Sequence, residues 1–156
     1  MLSQTSGHAL NALLGAELKA ETSAGRRSGK WQCRISDMLI GNFFIVPLTT
    51  TKMLRSEGYM MNNCCRNYTD SCENLRYSIF SIRSRSGERL ATLGIIKEGG
   101  YWRLDQCFGP ANTEVLEEMR CYLDEDEVLQ TEYYLTELYY VSQEVVRLMN
   151  CPDVSH

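Results

Sequence analysis

Three prolines, two histidines and no long apolar run set the first limits on this 156-residue chain. So few prolines argue against a disordered linker protein. No stretch approaches the roughly 20 apolar residues that span a bilayer, so no membrane association is expected. Met1 to Gly15 has no basic segment ahead of its apolar part, so it does not read as a secretory signal, and a soluble, cytoplasmic protein is expected. The histidines, His8 and His156, both lie near the ends, which leaves little for histidine-assisted chemistry. P-loop, Rossmann, HExxH and GxSxG patterns are all missing, so no cofactor is expected.

With 44% hydrophobic and 23% charged residues, the chain is ordinary globular material, long enough for one domain and too short for two. Residues 1–156 are therefore read as a single domain. The net charge of -4 hides an asymmetry: residues 1–90 hold twelve Lys and Arg against seven Asp and Glu, whereas residues 91–156 hold four against thirteen. A basic face for an anionic partner, an acidic face, and two halves that attract each other all fit such a split.

Leu10, Leu13, Leu14 and Leu18 recur at helical spacing, which predicts a helix over Gly7–Glu21. Ser23 to Lys30 then reads as an exposed basic loop containing Arg26 and Arg27. Strands are expected at Trp31–Ser36 and Asn42–Leu48. A helix capped by Thr49, Thr50 or Thr51 should run to Glu57, with Gly58 as its stop. A second helix, capped by Asn62 or Asn63, should carry Cys64 to Cys72.

The period-2 pattern of Leu75–Ser84 puts Tyr77, Ile79, Ser81 and Arg83 on one face and Ser78, Phe80 and Ile82 on the other. Turns at Arg85–Glu88 and Gly99–Gly100 complete a three-stranded antiparallel meander with Arg89–Lys97 and Tyr101–Phe108. Beyond Pro110 the chain reads as helical over about 113–150. Asn112 is the cap, Val115, Met119 and Tyr122 the helical stripe, and Asp124–Glu127 the acidic start of a final helix, Val128–Met149. Tyr134, Leu138, Val141, Val145 and Leu148 form a stripe that serves either the domain's own core or a homodimer seam along the C-terminal helix. The expected fold is α+β. It comprises a small antiparallel sheet, the meander plus one or two N-terminal strands, packed with helices and ending in a long C-terminal helix.

Among the seven cysteines, Cys64 is the candidate catalytic nucleophile, because a thiol in the first turn of a helix is acidified by unpaired N–H groups. It lacks an obvious base. Cys64 and Cys65 lie eight and seven residues from Cys72, roughly 10–12 Å along a continuous helix, whereas thiolates sharing a zinc ion lie about 4 Å apart. No CxxC pair occurs, so no metal site is expected. Arg76, Arg83, Arg85 and Arg89 at strand ends, Arg66 on the preceding helix, and Trp102 beside Tyr101 and Tyr77 form a second constellation. It reads as a phosphate-contacting sheet with stacking aromatics, or as solubilising arginines paired with the acidic tail.

Glu57-Gly58, Met61, Cys64 and Tyr68, then Cys72, Ile79-Phe80-Ser81-Ile82-Arg83, Thr92-Leu93 and finally Gln106, Gly109 and Asn112 form one spaced pattern. It resembles the PcfJ-like domain family of conjugative plasmids, integrative elements and phages, over a core of about residues 50–115. Asn63 stands where that family has histidine, and Arg66 where it has glycine. The resemblance therefore implies a mobile-element setting and a retained fold with altered or absent chemistry. Gln106, Gly109 and Asn112 are expected to act as scaffold, tying the third meander strand to the cysteine helix. Two functions follow as expectations. One is an accessory protein that binds nucleic acid or a partner protein, and the other a cysteine- or metal-dependent enzyme centred on Cys64.

Overall fold

A computed structural model of the protein describes residues 28–152. The helix expected over Gly7–Glu21, Arg26, Arg27 and both histidines lie outside the described residues. Strands β1 (Met38–Ile40) and β2 (Phe43–Leu48) come first. Helix α1 (Thr51–Met61), a 3₁₀ turn (Cys65–Tyr68) and the short helix α2 (Thr69–Glu73) follow. Next come β3 (Tyr77–Ser84), β4 (Arg89–Glu98) and β5 (Tyr101–Phe108), then β6 (Glu117–Leu123), β7 (Leu129–Leu135) and α3 (Glu137–Asn150). The fold is α+β. A five-stranded antiparallel sheet in the order β1-β2-β3-β4-β5 is separate from the β6–β7 hairpin.

The sheet is the middle of three layers, because β3 alternates. Phe80 and Ile82 point to one side, where they pack with Ile45, Leu93, Ile95 and Trp102 under Val141, Val145 and Met149 of α3. Tyr77 and Ile79 point to the other, where they meet Leu48, Leu54 of α1, and Cys65, Tyr68 and Cys72 of the cysteine segment. Each wholly buried aliphatic or phenylalanine side chain here stabilises the fold by about 2 kcal/mol. Both hairpin turns of the meander use glycine where the backbone demands it: Gly87 has φ 94°, and Gly99 and Gly100 have φ 59° and 87°. The Asn150 amide donates to the Trp102 carbonyl and accepts from the Trp102 N–H, each at 2.8 Å, fastening α3 to the edge strand β5.

Four local expectations need correction. Trp31–Ser36 is not a strand. Trp31, Cys33 and Ile35 do turn inward alternately, but the segment has only the isolated bridge Lys30–Thr50 beside it. Gly58 does not stop α1, which runs three residues further to a C-cap at Asn62 with φ 53°. Gly58 instead permits a close approach, since a Cβ there would lie 3.1 Å from the Asn63 carbonyl oxygen. The cysteine helix is split into a 3₁₀ turn and a five-residue helix.

The largest correction concerns residues 113–135, which form a hairpin instead of helix. Asn112 is no N-cap, lying in the left-handed region with φ 60°. Asp124–Glu127 is the hairpin's turn: the Asp124 carboxylate accepts from the N–H groups of Asp126 and Val128, both at 2.9 Å, and Glu127 takes φ 62°. An aspartate that satisfies the backbone two residues on makes a turn where a helix would have needed those groups. Only Glu137–Asn150 is the C-terminal helix. Thr136 caps it, and its apolar face is spent on the sheet.

Candidate functional site

Helix α1 divides cleanly into two faces. Leu54, Glu57, Gly58 and Met61 are buried, whereas Lys52, Arg55, Ser56 and Tyr59, at the complementary positions, face outward. The chain leaving α1 turns back through Asn62, Asn63 and Cys64 into the 3₁₀ turn, and Arg66 and Asn67 come up beside the outward face. Between them lies an open cleft of about 800 Å³, lined by these residues. Its wall carries three cations, three amides, a serine, a thiol and a tyrosine that is 85% exposed. No carboxylate is among the lining residues, and Lys52, Arg55 and Arg66 make no salt bridge among the described residues. In a protein of net charge -4, this is a local reversal of sign.

A buried polar chain holds the cleft's floor in place. Glu57, wholly buried, accepts from Thr92 Oγ1 at 2.6 Å and from Arg89 Nε at 2.8 Å. Asn63 Nδ2 donates to the same Thr92 hydroxyl at 3.2 Å, while Asn63 Oδ1 accepts from the Cys65 N–H at 3.0 Å. The sequence Asn63 to Thr92 to Glu57, closed by Arg89, ties the loop after α1 to strand β4. A buried carboxylate requires such partners, because leaving it unpaired costs several kcal/mol.

A second network lies under α2. At Gly94/Ile95 the β4–β5 register slips, leaving Asp105 as the extra residue on β5. A bulge of this kind re-aims side chains, and here both Asp105 and Gln106 reach the Tyr77 hydroxyl. Tyr77 donates to Asp105 Oδ2 at 2.7 Å and accepts from Gln106 Nε2 at 3.1 Å. Burial, and then the Asp105 charge, push the Tyr77 phenol well above its ordinary pKa. Tyr77 stacks on Tyr68, ring centroids 4.6 Å apart, and burial raises the Tyr68 pKa.

The thiols separate by environment. Cys65 donates to the Leu54 carbonyl at 3.3 Å. Burial, with the neighbouring Glu57 and Cys64 charges, pushes its pKa up to about 12. Burial raises Cys72 as well, and takes Cys107 up to about 11. These three are inert packing groups at neutral pH. Cys64 is exposed on the cleft wall and precedes the 3₁₀ turn. No histidine, aspartate or glutamate shares that wall to take its proton. Among the described residues, no group of three or more His, Cys, Asp or Glu is placed to hold a metal ion, and no helix is long and apolar enough to cross a membrane.

The arginine constellation of the sequence is dispersed. Arg66 lines the cleft. Arg89 is committed to Glu57, and Arg83 Nε donates to Ser81 Oγ at 3.0 Å. Arg85 is exposed in the β3–β4 turn, and Arg76 precedes the far end of β3, roughly 23 Å from Arg83 at a strand's rise per residue. Trp102 and Tyr77 are buried on opposite faces of the sheet, so neither offers a stacking surface. Gly109 begins the tight Pro110–Asn112 turn, where a Cβ would lie 2.6 Å from Thr113 Oγ1. That turn sits beside α1, and the Asn112 side chain is exposed. Lys52, Arg55, Tyr59, Asn62 and Asn67 were not among the site residues read from sequence. The spacing 52, 55, 56, 59 was the available signal, hidden by reading Gly58 as a helix end.

The PcfJ-like protein family matches residues 16–123, and the chain belongs to that family. The match extends beyond the 50–115 core at both ends and takes in β6. No curated protein and no solved structure matches the chain.

Proposed function

We propose that this PcfJ-like protein is a non-enzymatic accessory protein of a mobile genetic element, plasmid or phage, that binds single-stranded nucleic acid along the α1 cleft. The observation that carries the reading is the joint placement of Lys52, Arg55 and Arg66 on one open wall without a carboxylate. Phosphates meet the three cations, the amides of Asn62 and Asn67 supply further donors, and the exposed Tyr59 ring takes a base. Stacking on an aromatic is worth about 1–3 kcal/mol per base and tolerates any sequence. The family resemblance supports the genetic setting.

Fluorescence anisotropy with short single-stranded DNA and RNA oligonucleotides tests this. Three phosphate contacts to a single strand give a slope of log affinity against log salt of about -2. Lys52→Glu, Arg55→Glu and Arg66→Glu together should abolish binding, Tyr59→Ala should weaken it about tenfold or more, and Arg85→Glu should leave it unchanged. No binding by the native protein at low salt, or equal binding by the triple variant, refutes the reading.

A further inference from the structure

We infer that the β6–β7 hairpin is a homodimerisation element, and that two copies stack these hairpins face to face. The pairing of Glu117 with Leu135 through Leu123 with Leu129 gives the hairpin two unlike faces. On one, the polar groups are already satisfied by each other. Tyr122 donates to Glu132 Oε1 at 2.9 Å, Tyr134 also donates to Glu132, and Arg120 lies 4.6 Å from the centre of the Tyr134 ring.

The other face carries Met119, Leu123, Leu129, Tyr133 and Leu135, which are 62, 64, 66, 68 and 45% exposed. Side chains of this size leave roughly 100 Å² of each uncovered, so the five present about 500 Å², near the upper end for the largest apolar patch on a monomer. An isolated two-stranded hairpin is at best marginally stable in water, and every residue of β6 is exposed. The fold thus presents an element that something else must cover.

A second copy fits because the face is complementary to itself. Two such faces bury about 1,000 Å² before any rim contact, the threshold for a specific interface. Apart from Glu117 at its base, the apolar face of the two strands carries no charge, the other carboxylates lying on the back face or in the Asp124–Glu127 turn. A two-fold arrangement with strands antiparallel sends the two acidic Asp124–Glu127 turns to opposite ends of the interface, so the turns stay apart from each other. Helix α3 is not available for this role, since Val141, Val145 and Met149 already cover the sheet.

Sedimentation equilibrium of the full chain from roughly 1 to 100 μM, a range that brackets a micromolar Kd, should show a dimer. Leu123→Lys with Leu129→Lys should weaken it at least ~100-fold, the loss of two buried leucines or more, while Glu118→Lys on the back face should not. Cys121 lies mid-strand on the apolar face and is exposed. Packed sheets lie about 10 Å apart, so a bismaleimide of that span should join Cys121 to Cys121 in the native protein, and this reading needs no variant to fold. A monomer throughout, whether the face stays bare or residues 1–27 cover it, overturns the inference. So does a dimer that the double variant leaves intact, or one without the Cys121 cross-link. None of these readouts depends on nucleic-acid binding.

Discussion

Gly94→Ala is the sharpest probe of the packing behind α2. A Cβ at this position would stand 2.3 Å from the Tyr77 hydroxyl oxygen and 2.9 Å from both Cζ and Cε2. Tyr77 has nowhere to go: it is 1% exposed, stacked on Tyr68, and held by Asp105 and Gln106 at its tip. Forcing a methyl group into such a site costs about 1–3 kcal/mol. Displacing the hydroxyl from a carboxylate costs about 1.5–3 kcal/mol more. The expected destabilisation is therefore about 3–5 kcal/mol in urea unfolding, with Tm lowered by roughly 6–20 °C for a protein of this size. Tyr77→Phe removes the nearest of the three contacts. It should cost about 1.5–3 kcal/mol in the native background and at least ~1 kcal/mol less than that when combined with Gly94→Ala, a clear departure from additivity. A loss below ~1 kcal/mol for Gly94→Ala, or an additive cycle, would refute the reasoning.

Two further outcomes follow from the buried groups. Arg89→Met leaves Glu57 buried with only Thr92 as partner and should cost about 3 kcal/mol, and adding Glu57→Gln should recover part of it, both read from urea midpoints at constant slope. The buried thiols hold their protons in the folded protein to higher pH than the ordinary value of 9.0, Cys65 to about 12 and Cys107 to about 11. Their contribution is complete below pH 9 and is lost above it, because the unfolded chain ionises first. Each should cost roughly 1 kcal/mol by pH 10. Cys107→Ala should flatten the alkaline limb of stability against pH, and an unchanged limb would contradict this.

The meander was legible in the sequence because three signals agreed. A period-2 reading of Tyr77–Arg83 puts Tyr77 and Ile79 on one face and Phe80 and Ile82 on the other, glycines mark both turns, and β-branched or aromatic residues recur in each strand. The hairpin of residues 117–135 was not, since Val115, Met119 and Tyr122 satisfy a helical spacing by coincidence. An acidic tetrad also suits a helix start as well as a turn until one sees which N–H groups Asp124 receives. Gly58 misled in the same way: its lack of a side chain serves contact with the Asn63 carbonyl, which no local pattern announces. The arginines show the limit of reasoning by proximity along the chain. Arg83 and Arg89 pair across strands, yet one is spent on Ser81 and the other on Glu57. The cations that line the cleft are Arg66 of the 3₁₀ turn and, on the outward face of α1, Lys52 and Arg55, which the chain pattern did not single out.

The sheet's two faces are covered by parts of the chain that emerge far apart in time. One cover, α1 with the cysteine segment, is synthesised before β3 exists, whereas α3 comes only after β5 and the whole hairpin. Until Glu137–Asn150 leaves the ribosome, Ile45, Phe80, Ile82 and Leu93 have no lid, and a polypeptide released early would carry a bare, sticky plate on one side. Emergence of α3 thus masks an aggregation-prone surface that the earlier elements leave bare.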